Sequence, residues 1–191
     1  MTTTTVLAEI QQRLRSLSDP SNTAFFEKMV PGKQKVYGVK TPDLNAIVQQ
    51  YKVVGIDLVK ALWQSGALEE KIIAIKIMEK TGKKDPDKVL PLFKQFSKEI
   101  DNWAVCDGLG MQFLSGIRAT HTDEIFELAD KFNRSKDPWQ RRLSLVMVEW
   151  YTRKKERTAA IKELVKALED DKEYYVKKAV VWIKKNFAKS K

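Results

Sequence analysis

Asp107 follows Trp103 by four residues, so a helix through this stretch puts a carboxylate and an indole on one face. The wider pattern makes Asp107 unusual: its counterparts in the other helices of the repeat described below are Ala74, Leu143 and Ala179, all small or apolar. Burying a carboxylate without compensation is expensive, so a carboxylate at a core-like register is a candidate site. The alternative is a carboxylate in the first turns of a helix, where the macrodipole and water satisfy it. Trp182 sits in the last helix of the pattern, at the slot filled by Gly110 and Val146 elsewhere, and is either core or a platform for a ligand. Arg141 and Arg142 recur as Lys177 and Lys178, basic pairs near the starts of adjacent helices. Side by side they could form a phosphate track, or simply a solvated face. The single cysteine, Cys106, reads as a packing residue, and the single histidine, His121, as an exposed turn residue. The two lie far apart and cannot form a metal cage, so neither a metal nor another cofactor is expected.

These residues need a scaffold, and the chain spells one out by repetition. The apolar quartet Val89, Leu92, Phe93, Phe96 recurs as Ile125, Leu128, Ala129, Phe132 and as Ile161, Leu164, Val165, Leu168, each 36 residues on. Asp101 to Trp103, Asp137 to Trp139 and Glu173 to Tyr175 recur in step, each with an acidic residue two before an aromatic. The spacing predicts first helices near 54–65, 86–99, 122–133 and 157–169, and second helices near 69–81, 101–115, 137–153 and 172–188. Gly82, Asp85-Pro86, Gly116 and Asp137-Pro138 punctuate them. Ahead of the four pairs, residues 1–52 hold an amphipathic helix on Val6, Leu7, Ile10, Leu14 and Leu17, a shorter helix near 22–30, and a third starting at Thr41-Pro42. Lys35 to Val39 reads as a loop. The fold class is an all-α, HEAT-like solenoid of antiparallel helix pairs spanning residues 1–191 as one domain.

Composition limits what such a scaffold could do. The chain has 191 residues, 43% hydrophobic and 31% charged, too apolar for general disorder and too polar for a membrane bundle. No run approaches the ~18 apolar residues of a spanning helix, and no secretory signal opens the sequence, so a cytoplasmic monomer without membrane contact is expected. Of the net charge of +10, residues 134–191 carry +9. A basic zone on an otherwise balanced protein suggests a polyanion, because each neutralised phosphate releases condensed counterions.

Tyr37-Gly38-Val39-Lys40-Thr41-Pro42, Asn102 to Asp107, Trp139-Gln140-Arg141-Arg142 and Ala179-Val180-Val181-Trp182 occur in the order seen in the DNA alkylation repair family. The chain resembles the AlkD-like DNA glycosylases over nearly its whole length, and the Trp-x-x-x-Asp element is the most specific part of the likeness. The resemblance implies a stack of HEAT-like pairs cradling duplex DNA in a concave face and excising N3- and N7-alkylated purines. Asp107 falls on the catalytic carboxylate, Trp103 and Trp182 on indoles packed against the lesion deoxyribose, and Arg142 on a backbone-contacting arginine. Met29 stands nearest to where an aromatic facing the DNA is expected. Alkylated purines are cationic and leave as neutral bases without a general acid, so one carboxylate beside the oxocarbenium ion suffices. Recognition through sugar and backbone implies no base-flipping pocket. The alternative is a non-catalytic scaffold binding branched or damaged DNA, or a protein partner, through the same surface.

Overall fold

The computed structural model describes residues 2–32 and 34–189. The described residues hold eleven α-helices, short 3₁₀ turns and no strands. The first three precede the repeats: α1 (Thr3–Ser16), α2 (Pro20–Met29) and α3 (Thr41–Tyr51). Four pairs follow, α4 (Ile56–Gln64) with α5 (Leu68–Thr81), α6 (Pro86–Phe96) with α7 (Trp103–Met111), α8 (Thr122–Asn133) with α9 (Pro138–Val146), and α10 (Thr158–Ala167) with α11 (Tyr174–Lys189). The second helices pack in series, α5 on α7, α7 on α9 and α9 on α11, which is the one-dimensional logic of a solenoid. No described helix is long and apolar enough to cross a membrane.

The repeating quartet forms the core because its 3.6-residue periodicity aims one stripe of each first helix inward. Leu92, Phe96, Leu128, Phe132, Leu164 and Leu168 are all buried at equivalent positions. Start signals also hold: the Asn102 side chain caps α7 by accepting from the Val105 amide at 2.9 Å, and Asp137 caps α9 by accepting from Trp139 at 2.9 Å.

Several expected helices are shorter than the periodicity suggests. The stretch near 101–115 is α7 followed by a 3₁₀ turn at Phe113–Gly116, and that near 137–153 is α9 followed by one at Glu149–Arg153. The apolar pattern continues through these tighter turns, so hydrophobicity alone does not reveal the break. His121 is half-buried rather than exposed, because it is the residue preceding α8 and its Nδ1 lies 2.9 Å from the Thr120 hydroxyl.

Candidate active site

Two helix starts and one close helix contact build the site. Asp107 lies in the second turn of α7 and Arg142 in the second turn of α9, so packing of these helices decides whether they meet. Gly110 lets them. A Cβ there would stand 2.6 Å from Val146 Cγ1 and 2.9 Å from the Met147 amide nitrogen, so only glycine permits this approach. The result is a forked ion pair in which Arg142 Nε and Nη2 donate to Asp107 Oδ1 at 3.1 and 2.7 Å, and Nη2 donates to Oδ2 at 2.9 Å. Arg142 Nη1 donates to the Tyr175 carbonyl at 2.7 Å, so one guanidinium ties α7, α9 and α11 together.

The pair is asymmetric in its exposure. The Arg142 side chain is 9% exposed and that of Asp107 is 31% exposed, so the carboxylate presents an edge to solvent while the cation is buried behind it. Burial pushes the Asp107 carboxyl above the ordinary aspartate range, and the Arg142 charge and hydrogen bonds pull it part of the way back. Cys106, next in sequence, is fully buried with its thiol pushed well up by that burial, so it is a packing residue without thiolate chemistry.

Two open clefts share Trp103, and Asp107 lines the first of them. One, about 280 Å³, is largely apolar and is lined by Phe26, Leu44, Ile72, Trp103 and Asp107 itself. The other, about 420 Å³, is lined by Met29, Trp103, Arg142, Tyr174, Tyr175 and Lys178. The Trp103 indole donates from Nε1 to the Met29 carbonyl at 3.0 Å, which fixes its ring between α2 and α7. Across the cleft Tyr175 stacks on Trp139 with centroids 5.0 Å apart, and Tyr174 stands out at 60% exposure with the Lys178 ammonium 5.2 Å above its ring. On α2, Phe25 and Met29 are both exposed and four residues apart, so they share a face at this end of the clefts.

The other expected residues are placed differently. Trp182 is half-buried against the core and lines neither of these two clefts; it lies one turn beyond Lys178 on the same face of α11. Arg141 is engaged within the fold, with Nε and Nη2 on Asp171 at 2.6 and 3.3 Å and Nη1 on the Ser135 and Lys136 carbonyls, both at 3.0 Å. Lys177 and Lys178 are exposed. The described residues hold no cluster of three or more metal-ligating side chains.

The sequence reading missed a pair of carboxylates, Glu69 and Glu70 at the start of α5, both buried. Glu69 accepts from the Tyr37, Gly38 and Val39 amides at 3.0, 2.7 and 3.2 Å, and Glu70 accepts from the Tyr37 hydroxyl at 2.8 Å. Burial and the bond to Glu70 push the Tyr37 phenol up to about 12. Gly38 has φ +78°, the left-handed region, and a Cβ there would meet the Asp19 carbonyl oxygen at 2.5 Å, so the turn needs glycine. The Tyr37-Gly38-Val39 motif is therefore the amide cradle of Glu69, and it seats Val39, Thr41 and Glu69 along the apolar cleft. Adjacent acids following a loop rich in backbone donors were the available signal.

The site is thus one carboxylate edge near indole, phenol and cationic groups on an all-helical repeat stack. Residues 10–191 match the family model described as DNA alkylation repair enzyme, and the chain belongs to that family. Among solved structures it is similar to one titled "Predicted DNA alkylation repair enzyme from Enterococcus faecalis", at 16% identity and a TM-score of 0.73, over 91% of this chain and 84% of that one. At that identity the likeness speaks to the fold. No curated protein matches the sequence.

Proposed function

We propose that the protein is a DNA glycosylase that hydrolyses the N-glycosidic bond of cationic N3- or N7-alkylated purines in duplex DNA. The observation that carries this reading is the partly exposed Asp107 carboxylate, which lines the apolar cleft beside Trp103 and is oriented by Arg142, itself part of the neighbouring aromatic and basic cleft. As the C1′–N bond breaks, its electron pair passes to the base, which departs neutral, and positive charge develops on the deoxyribose. Asp107 stabilises that charge and orients the water that adds to C1′, accepting its proton. The products are the free alkylpurine and an abasic sugar.

Trp103 supplies the apolar wall beside the reacting sugar, with Trp182 extending the aromatic surface along α11. Phosphates on either side are met by Lys177 and Lys178, while the buried Arg142 orients Asp107 and, with Arg141 at the α9–α11 junction, adds positive potential. Both clefts that share Trp103 are open, which supports recognition at sugar and backbone rather than enclosure of an extruded base.

One observation favours a second reading. Both Asp107 oxygens already have a partner in Arg142, which accounts for the carboxylate by structure alone and suits a non-catalytic scaffold for damaged or branched DNA. Incubation of the wild-type chain with duplex carrying 7-methylguanine, followed by chromatography of released base, separates the two. Release above the spontaneous rate supports the enzyme; tight binding with no release supports the scaffold.

A further inference from the structure

The last repeat carries a groove that this chemistry leaves unused. In the repeat before it, Phe126, Asp130 and Asn133 of α8 share a cleft with Leu164 and Ala167 of α10, and Asn133 Nδ2 donates to the Leu164 carbonyl at 3.1 Å. That face of α8 is the one on which the next repeat rests. The same face of α10, 36 residues on, presents Lys162, Lys166 and Glu169. Here it borders an open groove of about 950 Å³, closed on its other sides by α11 and the turns around Thr152.

The groove combines an apolar base with a basic rim. Val165 and Phe187 provide the base. Lys155, Lys162 and Lys166 line the rim and make no ion pair among the described residues, whereas Lys184 is held by Glu169 at 2.5 Å. Thr152 also lines it; the residue is 5% exposed, and its hydroxyl is buried without a hydrogen-bond partner. A solvent-facing helix needs polar residues for solubility, and the lysines alone would meet that need. They do not account for Phe187, left partly open in the same groove.

We propose that this groove receives an acidic amphipathic helix from a partner protein, laid along α10 where a further repeat helix would pack. Its apolar stripe would cover Val165 and Phe187, and its carboxylates would meet Lys155, Lys162 and Lys166. The ten residues of α10 span about 15 Å, so a helix of about three turns fills the groove.

The test uses the full chain and a fluorescein-labelled acidic peptide of about twelve residues, with leucines on one helical face and glutamates on the other. Anisotropy should show saturable binding, absent for the same peptide with lysine in place of glutamate. The K162E/K166E double variant should weaken binding at least about tenfold, and Phe187→Asp should weaken it with all rim lysines intact. Unchanged melting curves and circular dichroism establish that both variants fold. No binding of the acidic peptide, equal binding of the basic one, or indifference to both variants overturns the proposal. So does loss of affinity for a single-stranded oligonucleotide, in place of the peptide, on charge reversal, because the groove is then a nucleic-acid contact.

Discussion

Replacing Arg142 with Met tests whether the ion pair organises the site, because it keeps the aliphatic stem and removes the charge. Breaking a buried pair by deleting one partner costs about 3–5 kcal/mol, since the other charge is left in poor solvent. The Asp107 side chain is 31% exposed, so water screens what remains and the cost falls to about 2 kcal/mol, including the lost bond to the Tyr175 carbonyl. For a domain of this size that corresponds to a melting temperature about 4–8 °C lower at neutral pH.

The pH dependence carries the sign of the effect. Burial already holds the Asp107 carboxyl above its ordinary value, so across that window the folded state binds a proton that the unfolded chain does not. Asp107's own contribution to stability therefore falls as pH rises through the window. Without Arg142 the folded value climbs further, so the deficit of the variant should shrink on acidification as the unpaired carboxylate takes a proton. Scanning calorimetry from neutral to mildly acidic pH, on the wild type, R142M and R142M/D107N, reads this directly. The double variant should recover part of the loss, because no unpaired charge is left. A pH-independent deficit, or R142M melting within about 1 °C of wild type, refutes the reasoning.

Glu69→Gln removes the charge from a carboxylate that accepts three backbone amides, and should cost about 2 kcal/mol, read as a lower urea midpoint. Gly110→Ala sets a Cβ against Val146 and the Met147 nitrogen; it should cost about 1–3 kcal/mol by calorimetry and slow base release by separating Asp107 from Arg142. Lys178→Glu should weaken binding to all duplex sequences alike, and loss of one phosphate contact should lower the magnitude of the logarithmic salt slope by about 0.9, measured by anisotropy.

The scaffold was legible because each repeat buries the same quartet at the same spacing, so Leu92, Leu128 and Leu164 announce one another 36 residues apart. The breaks after α7 and α9 were not, since Gln112 and Met147 are ordinary helix residues and the chain tightens there through packing rather than through a breaker. Asp107 could be singled out from the repeat register, and Trp103 from its place one turn earlier. That Arg142 faces Asp107 could not be seen: the two are 35 residues apart, and the contact depends on how closely Gly110 lets α9 approach α7. Arg141 and Arg142 look alike in sequence, yet one turns toward Asp171 and the other toward Asp107, because neighbouring positions on a helix point in different directions. Glu69 and Glu70 pass for ordinary first-turn acids until the donors of the Tyr37 loop are seen to converge on them.

The most direct measurement of the central claim is single-turnover release of 7-methylguanine from duplex by wild type and Asp107→Asn, beside an anisotropy titration of each. The substitution keeps the shape of the side chain and removes the charge aimed at the oxocarbenium ion. Release should fall by at least about 10²–10³-fold, while duplex affinity stays level or rises, because a carboxylate that repels phosphate is gone. Wild-type release by the Asn variant would contradict the account, leaving Asp107 as no more than the partner that keeps Arg142 in place.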